Sequence, residues 1–169
     1  EKIVAAQAHH KKIDGHAPDL VGNDLNAYIA AGVYSDHECH DLNDAIAKLQ
    51  RGQFIMIREG TAARNLDALA PLLCDKYVER CMFCTDDKHI ENIREEGHIN
   101  CIARLAVKCG VDPIQAVKMA SYNAARAYGL KNIGAIAPGY KGDMVLFKDL
   151  KDFEVVQVFT RFGRPYEDK

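Results

Sequence analysis

Nowhere in the 169-residue chain do apolar residues run on for the ~20 positions that a membrane-spanning helix requires. The first residues also lack the basic and apolar regions of a secretory signal. A cytoplasmic protein is expected, and a membrane is not an expected partner. An excess of one charge is lacking too: 22 Lys and Arg against 24 Asp and Glu leave a formal net charge of −2. With no basic run or stripe to neutralise a phosphate backbone, nucleic acid is excluded from the expected partners. Internal repeats and low-complexity tracts are absent. No initiator Met stands at position 1, and Ile3-Val4-Ala5-Ala6-Gln7-Ala8 reads as the end of a helix already under way, so the start is expected to be a truncation.

A second cysteine pair at zinc-finger spacing is also wanting. Six cysteines are present (Cys39, Cys74, Cys81, Cys84, Cys101 and Cys109), but a chain of this length with 48% hydrophobic residues builds a core without disulfides, so reduced thiols are expected. Cys81-Met82-Phe83-Cys84 has no second pair to complete a zinc site, and strand alternation would turn its thiols apart, which favours core packing. A zinc cytidine-type deaminase would show His-x-Glu and Pro-Cys-x-x-Cys. Here His37-Glu38 lacks the spacer, and Arg80 stands where the Pro belongs.

What is present is an alternation of strands and helices. Lys12-Ile13-Asp14-Gly15-His16 reads as a short strand, followed by a helix over Asp24 to Ala31 with Asn23 as its cap and Gly32 as its stop. Val33-Tyr34-Ser35 is the second strand, and Asp41 or Asn43 caps a helix that ends at Gly52. The apolar run Phe54-Ile55-Met56-Ile57 is a buried strand, a helix is expected from about Ala62 to Leu73, and Arg80 to Cys84 is a fourth strand. Parallel pairing with right-handed crossovers follows, in a (β/α) barrel or a doubly wound sheet. Four units are visible, about half of a barrel that usually takes about 250 residues. Helices follow over Ile90–Glu95, Ile99–Lys108 and Pro113–Ala120, the last capped by Asp112, and Gly129 ends one more. From Gly134 the texture becomes β-rich, with strands at Asp143–Phe147 and Val155–Phe159.

Chemistry-bearing side chains recur just past the strands. His16 and His37 occupy equivalent places after neighbouring strands, and imidazole is a good ligand for zinc, manganese or iron when a second acceptor orients the ring; Asp36 is one candidate acceptor. Asp86 follows the fourth strand beside Asp87. It serves equally well as a helix cap or as a carboxylate that binds a metal and takes a proton from water. Glu38 can carry a proton beside His37 or stand solvated in its loop. Arg58 and Glu59 emerge after the third strand, where they line a pocket or begin a helix. The order His, His, Asp at successive strand ends points to a metal-dependent hydrolase, because a barrel gathers those ends at one face. His9, His10, His40, His89 and His98 have no evident partner.

Six segments carry a resemblance: Ile13-Asp14-Gly15-His16-Ala17-Pro18, Asn26-Ala27-Tyr28-Ile29-Ala30-Ala31-Gly32, Ser35-Asp36-His37-Glu38, Ile55-Met56-Ile57-Arg58-Glu59-Gly60, Phe83-Cys84-Thr85-Asp86-Asp87 and Gly134-Ala135-Ile136-Ala137-Pro138-Gly139-Tyr140. In this order they resemble the adenine deaminases of the amidohydrolase superfamily. The resemblance implies an α/β chain in which residues 1–133 form the second half of a metal-dependent (β/α)8 barrel, from strand five to strand eight, and residues 134–169 supply strands of a composite sandwich domain. It implies conversion of adenine and water to hypoxanthine and ammonia, a purine-salvage step, by a metal-activated hydroxide. His16, His37 and Asp86 would be metal ligands, Asp86 and Glu38 proton carriers, and Glu59, Arg58 and Asp87 substrate contacts. The divalent metal would be manganese or iron(II) rather than zinc.

The superfamily's first-strand His-x-His pair and fourth-strand bridging carboxylate have no counterpart in the chain, so activity of the isolated chain is not expected. Association with the other barrel half, or a homo-oligomer, is the expected partnership. Two alternatives stand beside this reading: an amidohydrolase acting on a cyclic amide, as in dihydroorotase-like members, and a non-catalytic half-barrel that self-associates through its open strand edges.

Overall fold

Four short segments pair as parallel strands in the computed structural model, which describes residues 1–74, 76–160 and 164–166. They are β1 (Ile13–Gly15), β2 (Val33–Asp36), β3 (Phe54–Arg58) and β4 (Cys81–Cys84), in one sheet of order β1-β2-β3-β4. The order follows the chain without the reversal that marks a doubly wound sheet. Helix α1 (Lys2–Ala8) precedes the sheet, α2 (Gly22–Ala30), α3 (Leu42–Gln50) and α4 (Leu66–Leu69) lie in its crossovers, and α5 (Ile90–Glu96), α6 (Ile99–Lys108), α7 (Pro113–Ala120) and α8 (Tyr122–Tyr128) follow it.

Local signals set most of these boundaries. Gly32 and Gly52 turn the chain out of α2 and α3 at φ 93° and 92°, in a region that side chains with a Cβ avoid. Of the two caps expected for α3, Asp41 is the one used: its Oδ1 accepts from the amides of Asn43 at 2.7 Å and Asp44 at 3.0 Å. Asp112 caps α7 in the same way, with Pro113 in the first turn.

Two expectations are corrected. Asn23 does not cap α2: the helix starts at Gly22, whose φ of 59° lets the chain enter it after Val21, and no side chain caps it. The helix expected from Ala62 to Leu73 is shorter. A bridge between Glu59 and Arg64 and a bond from the Gly60 amide to the Ala63 carbonyl (2.9 Å) hold the first residues in a turn. Beyond Leu69 the chain tightens into a 3-10 turn over Ala70–Cys74, where Pro71 has no N–H for an α-helical ladder.

All five residues of β3 are buried, as expected for a strand covered on both faces. Ile55 and Ile57 pack with Cys81 and Phe83 against Ala45 and Leu49 of α3, Leu66 of α4, Ile102 of α6 and Met119 of α7. Each fully buried Ile contributes about 1.5–3 kcal/mol. Phe54, Met56 and Met82 occupy the other face, with Ala127 of α8, Tyr34 and Cys84. Cys81 and Cys84 therefore lie on opposite faces, and both are free thiols, as are Cys39, Cys101 and Cys109.

A second sheet, antiparallel, joins β5 (Met144–Phe147), β6 (Val155–Thr160) and β7 (Arg164–Pro165). It is anchored by Phe153, which lies between β5 and β6, is 1% exposed and enters the core of the parallel sheet and its helices. Arg104 of α6 fastens the same connection, donating from Nη1 to the Asp152 carbonyl at 3.1 Å. Among the described residues, no helix is long and apolar enough to cross a membrane.

Candidate metal centre

Parallel strands deliver their C-terminal ends to one edge of the sheet, where side chains distant in sequence meet. His16 follows β1, His37 and Glu38 follow β2, Arg58 ends β3, and Asp86 lies two residues past β4. Pairing of Gly15 with Asp36 brings the first two of these ends level.

His16, His37 and Glu38 each offer a ligand atom, and the three atoms lie within 4.8 Å of one another. Glu38 Oε1 stands 3.3 Å from His16 Nδ1 and 3.5 Å from His37 Nε2, and the two rings meet edge to face at 5.4 Å between centroids. Two imidazoles and a carboxylate form a donor set suited to a divalent transition ion. The other nitrogen of His37, Nδ1, faces Asp14 Oδ2 at 3.3 Å, and Asp14 in turn accepts from the Ser35 hydroxyl at 2.7 Å. An acceptor behind a ligating imidazole fixes its tautomer and orientation. Asp14 holds that place rather than Asp36, which is fully buried and turned to the backbone: its Oδ2 accepts from the Ala17 amide at 2.9 Å and its Oδ1 from the Glu38 amide at 2.8 Å.

Asp86 joins this constellation through Arg58. The Arg58 guanidinium donates to both oxygens of Glu38, through Nη1 to Oε1 and through Nη2 to Oε2 at 3.1 Å, and through Nη1 to Asp86 Oδ2 at 2.9 Å. Burial opposes the Arg58 charge, and these carboxylates more than offset it, holding the pKa above its ordinary value. Arg58 Nε is buried without a hydrogen-bond partner. Asp86 has a φ of 46°, an unusual conformation for a residue other than glycine.

Glu59 and Asp87 stand behind the cluster. Glu59 is 7% exposed and accepts from the Leu66 amide at 2.9 Å; burial pushes its pKa up. Asp87 accepts from the Ala62 amide at 2.9 Å, which holds its carboxyl below the ordinary range. Asp87 thus fastens the loop after β3 to the loop after β4. No local signal marks Asp14 as the partner of His37: it stands one pleat before His16, and only the register of β1 on β2, which sets it opposite Ser35, brings it there. A second group, Asp19, His40 and Asp41, has ligand atoms similarly close together but is more exposed.

Known proteins agree with this architecture. The chain is 51% identical over 158 residues to an adenine deaminase of Kosmotoga olearia, covering 94% of this chain and 27% of that protein. It is 49% identical over 168 residues to one of Thermosipho africanus, covering 99% and 29%. The chain thus spans less than a third of the length of these curated relatives. Among solved structures, an enamidase superposes with a TM-score of 0.68 at 17% identity, over 97% of this chain and 49% of that one. An N-acetyl-D-glucosamine-6-phosphate deacetylase from Mycobacterium smegmatis gives 0.67 at 21%, over 96% and 51%. At these identities the likeness shows the fold. A profile of the amidohydrolase family matches residues 1–161, nearly the whole length, and with parallel strands that present histidines and carboxylates at one edge, the chain belongs to the amidohydrolase family.

Proposed function

We propose that the chain contributes one side of the metal centre of an adenine deaminase, which converts adenine and water to hypoxanthine and ammonia. The observation that carries this reading is the convergence of His16, His37 and Glu38 from two neighbouring strand ends. The substrate follows from the identity to proteins named adenine deaminase. Residues 1–133 are read as the second half of the barrel and residues 134–169 as strands of a sandwich domain, which the sequential order of β1 to β4 and the separate antiparallel sheet support. Association with the other barrel half would complete the site, and a homo-oligomer is the alternative partnership, in a soluble, cytoplasmic protein.

The donor set fits a divalent ion held by His16 and His37, with Glu38 or Asp86 as the carboxylate, and the family resemblance favours manganese or iron(II). When bound, such an ion supplies the charge that makes water a nucleophile near neutral pH. Asp14 holds His37 by its Nδ1, and Nε2, on the side of Glu38, would be the nitrogen that holds the ion. Asp86 would accept the proton of the attacking water and return it to the departing ammonia, while Glu38 would give a proton to the purine ring nitrogen and regain one from the hydroxyl left on the attacked carbon. Arg58 and Asp87 border the substrate, and Glu59 supports the pocket from behind.

The test is a chimera in which this chain replaces the matched 158-residue region of the Kosmotoga olearia protein. Ammonia release from adenine with added manganese(II) is expected, and His16→Ala or His37→Ala should lower it by about a hundredfold or more, the scale of a lost metal function. A folded chimera that binds manganese(II) yet releases no ammonia from adenine sinks the substrate assignment.

A further inference from the structure

A buried charge cluster lies beneath the loops that carry His16 and His37. Lys48, on α3, is fully buried, and so is the side chain of Asp36 at the end of β2. Lys48 Nζ donates to the Ala17 carbonyl at 2.7 Å and to Asp44 Oδ2 at 3.0 Å, and lies 3.5 Å from Asp36 Oδ1. Asp36 in turn accepts from the amides of Ala17 and Glu38. One ammonium and one carboxylate therefore grip both backbone polar groups of the residue after His16 and the amide of the residue after His37.

Fold stability is a poor reason for such a cluster. Burial opposes the Lys48 charge, and Cys39, Asp44 and Asp36 together more than offset it, so that its pKa lies above the ordinary value. Replacing a buried ion pair by apolar side chains of similar volume is often neutral or stabilising. An apolar side chain cannot, however, hold the Ala17 carbonyl. The His16 side chain is 67% exposed, so its place depends on its backbone more than on packing.

We propose that Lys48 is a positioning residue that, through Ala17 and Asp36, sets the spacing between His16 and the His37–Glu38 pair. The proposal rests on the reading of these three residues as a metal site. Ala17 is the point of control: its amide answers to β2 and its carbonyl to α3, so the β1 loop cannot drift relative to the β2 loop while the cluster is intact.

The experiment compares the chain with Lys48→Met, with the double variant D44N/K48M and with His16→Ala. The double variant removes the ammonium together with one of its carboxylates, while Asp36 keeps its two amide donors. Manganese(II) affinity is measured by calorimetry, and amide hydrogen exchange by NMR without metal. Loss of the clamp should speed exchange at Ala17 and Glu38 at least tenfold while Ile55 and Ile57 keep their protection. It should also weaken manganese(II) binding by about tenfold to a hundredfold, the range for a lost orienting partner. Unchanged exchange at Ala17, exchange that rises equally at Ile57, or unfolding of both Lys48 variants overturns the proposal. If the unaltered chain and His16→Ala bind manganese(II) equally or not at all, the metal reading fails, and exchange alone decides the clamp.

Discussion

The Arg58 guanidinium reaches the Asp86 carboxylate across 2.9 Å and thereby links the end of β3 to the loop after β4. The same group sits on Glu38, so one positive charge occupies a carboxylate that also faces two imidazoles. A cation entering between His16, His37 and Glu38 meets repulsion from Arg58 and competition for Glu38. Arg58→Met is therefore expected to tighten manganese(II) binding to the chain by about tenfold, or about 1.4 kcal/mol, measured by calorimetry. Weaker binding in the variant would mean that Arg58 holds Glu38 in its ligating pose rather than competing for it.

Gly15 precedes His16 where β1 lies against β2. A Cβ there would stand 2.5 Å from the Ser35 carbonyl oxygen and 2.8 Å from both Tyr28 Oη and Val33 Cγ1. The carbonyl belongs to the neighbouring strand and cannot rotate away, so Gly15→Ala must part β1 from β2 or shift the His16 loop. A loss of about 1–3 kcal/mol in urea denaturation is expected, the usual range for overpacking. Manganese(II) affinity should fall with it, because Tyr28 Oη also accepts from the His16 amide.

How much of this was legible in the sequence depends on the distance over which each feature is decided. Gly32, Gly52, Asp41 and Asp112 act within a few residues of themselves, and the helix ends they announce are where the structure has them. Pro71 acts equally locally beyond the end of α4, whereas the turn formed by Glu59 and Arg64 shortens the helix at its start. Lys48 is the opposite case. On an amphipathic helix it reads as a solvent-facing lysine, and only closure of the sheet puts Ala17, 31 residues away, against its ammonium. Asp36 misled for a related reason: adjacency to His37 suggested a partner for the ring, whereas strand alternation turns it inward and leaves that role to Asp14 on the neighbouring strand.

Glu59 gives a stability prediction with a definite sign. Burial raises its pKa above the ordinary 4.5, so the folded state favours the protonated form. Its charge therefore opposes folding at neutral pH, and this opposition fades as pH falls through the folded pKa toward 4.5. Glu59→Gln keeps an oxygen to accept from the Leu66 amide and carries no charge. The variant should be more stable than the unaltered chain at pH 7, with the gap narrowing toward pH 4.5, as followed by urea denaturation across that range. A gap that widens on acidification would contradict the assignment.

Phe153 decides whether the β-rich segment folds with the parallel sheet or apart from it. Its ring is 1% exposed and meets Phe147 edge to face at 5.3 Å, while Asn100 and Arg104 of α6 donate to the carbonyls of Phe153 and Asp152. Removing such a ring from a packed core costs about 3–5 kcal/mol, and Phe153→Leu should cost less because it leaves a smaller void. If the segment belongs to the same cooperative unit, Phe153→Ala shifts a single unfolding transition, and signals from Ile57 in β3 and Val158 in β6 move together. If it folds apart, the variant releases Val158 at low urea while Ile57 keeps its midpoint. The ring's place among Ile102, Ala103 and Met119 argues for the single transition, because the cavity left by Phe153→Ala opens in the core that β3 itself packs against.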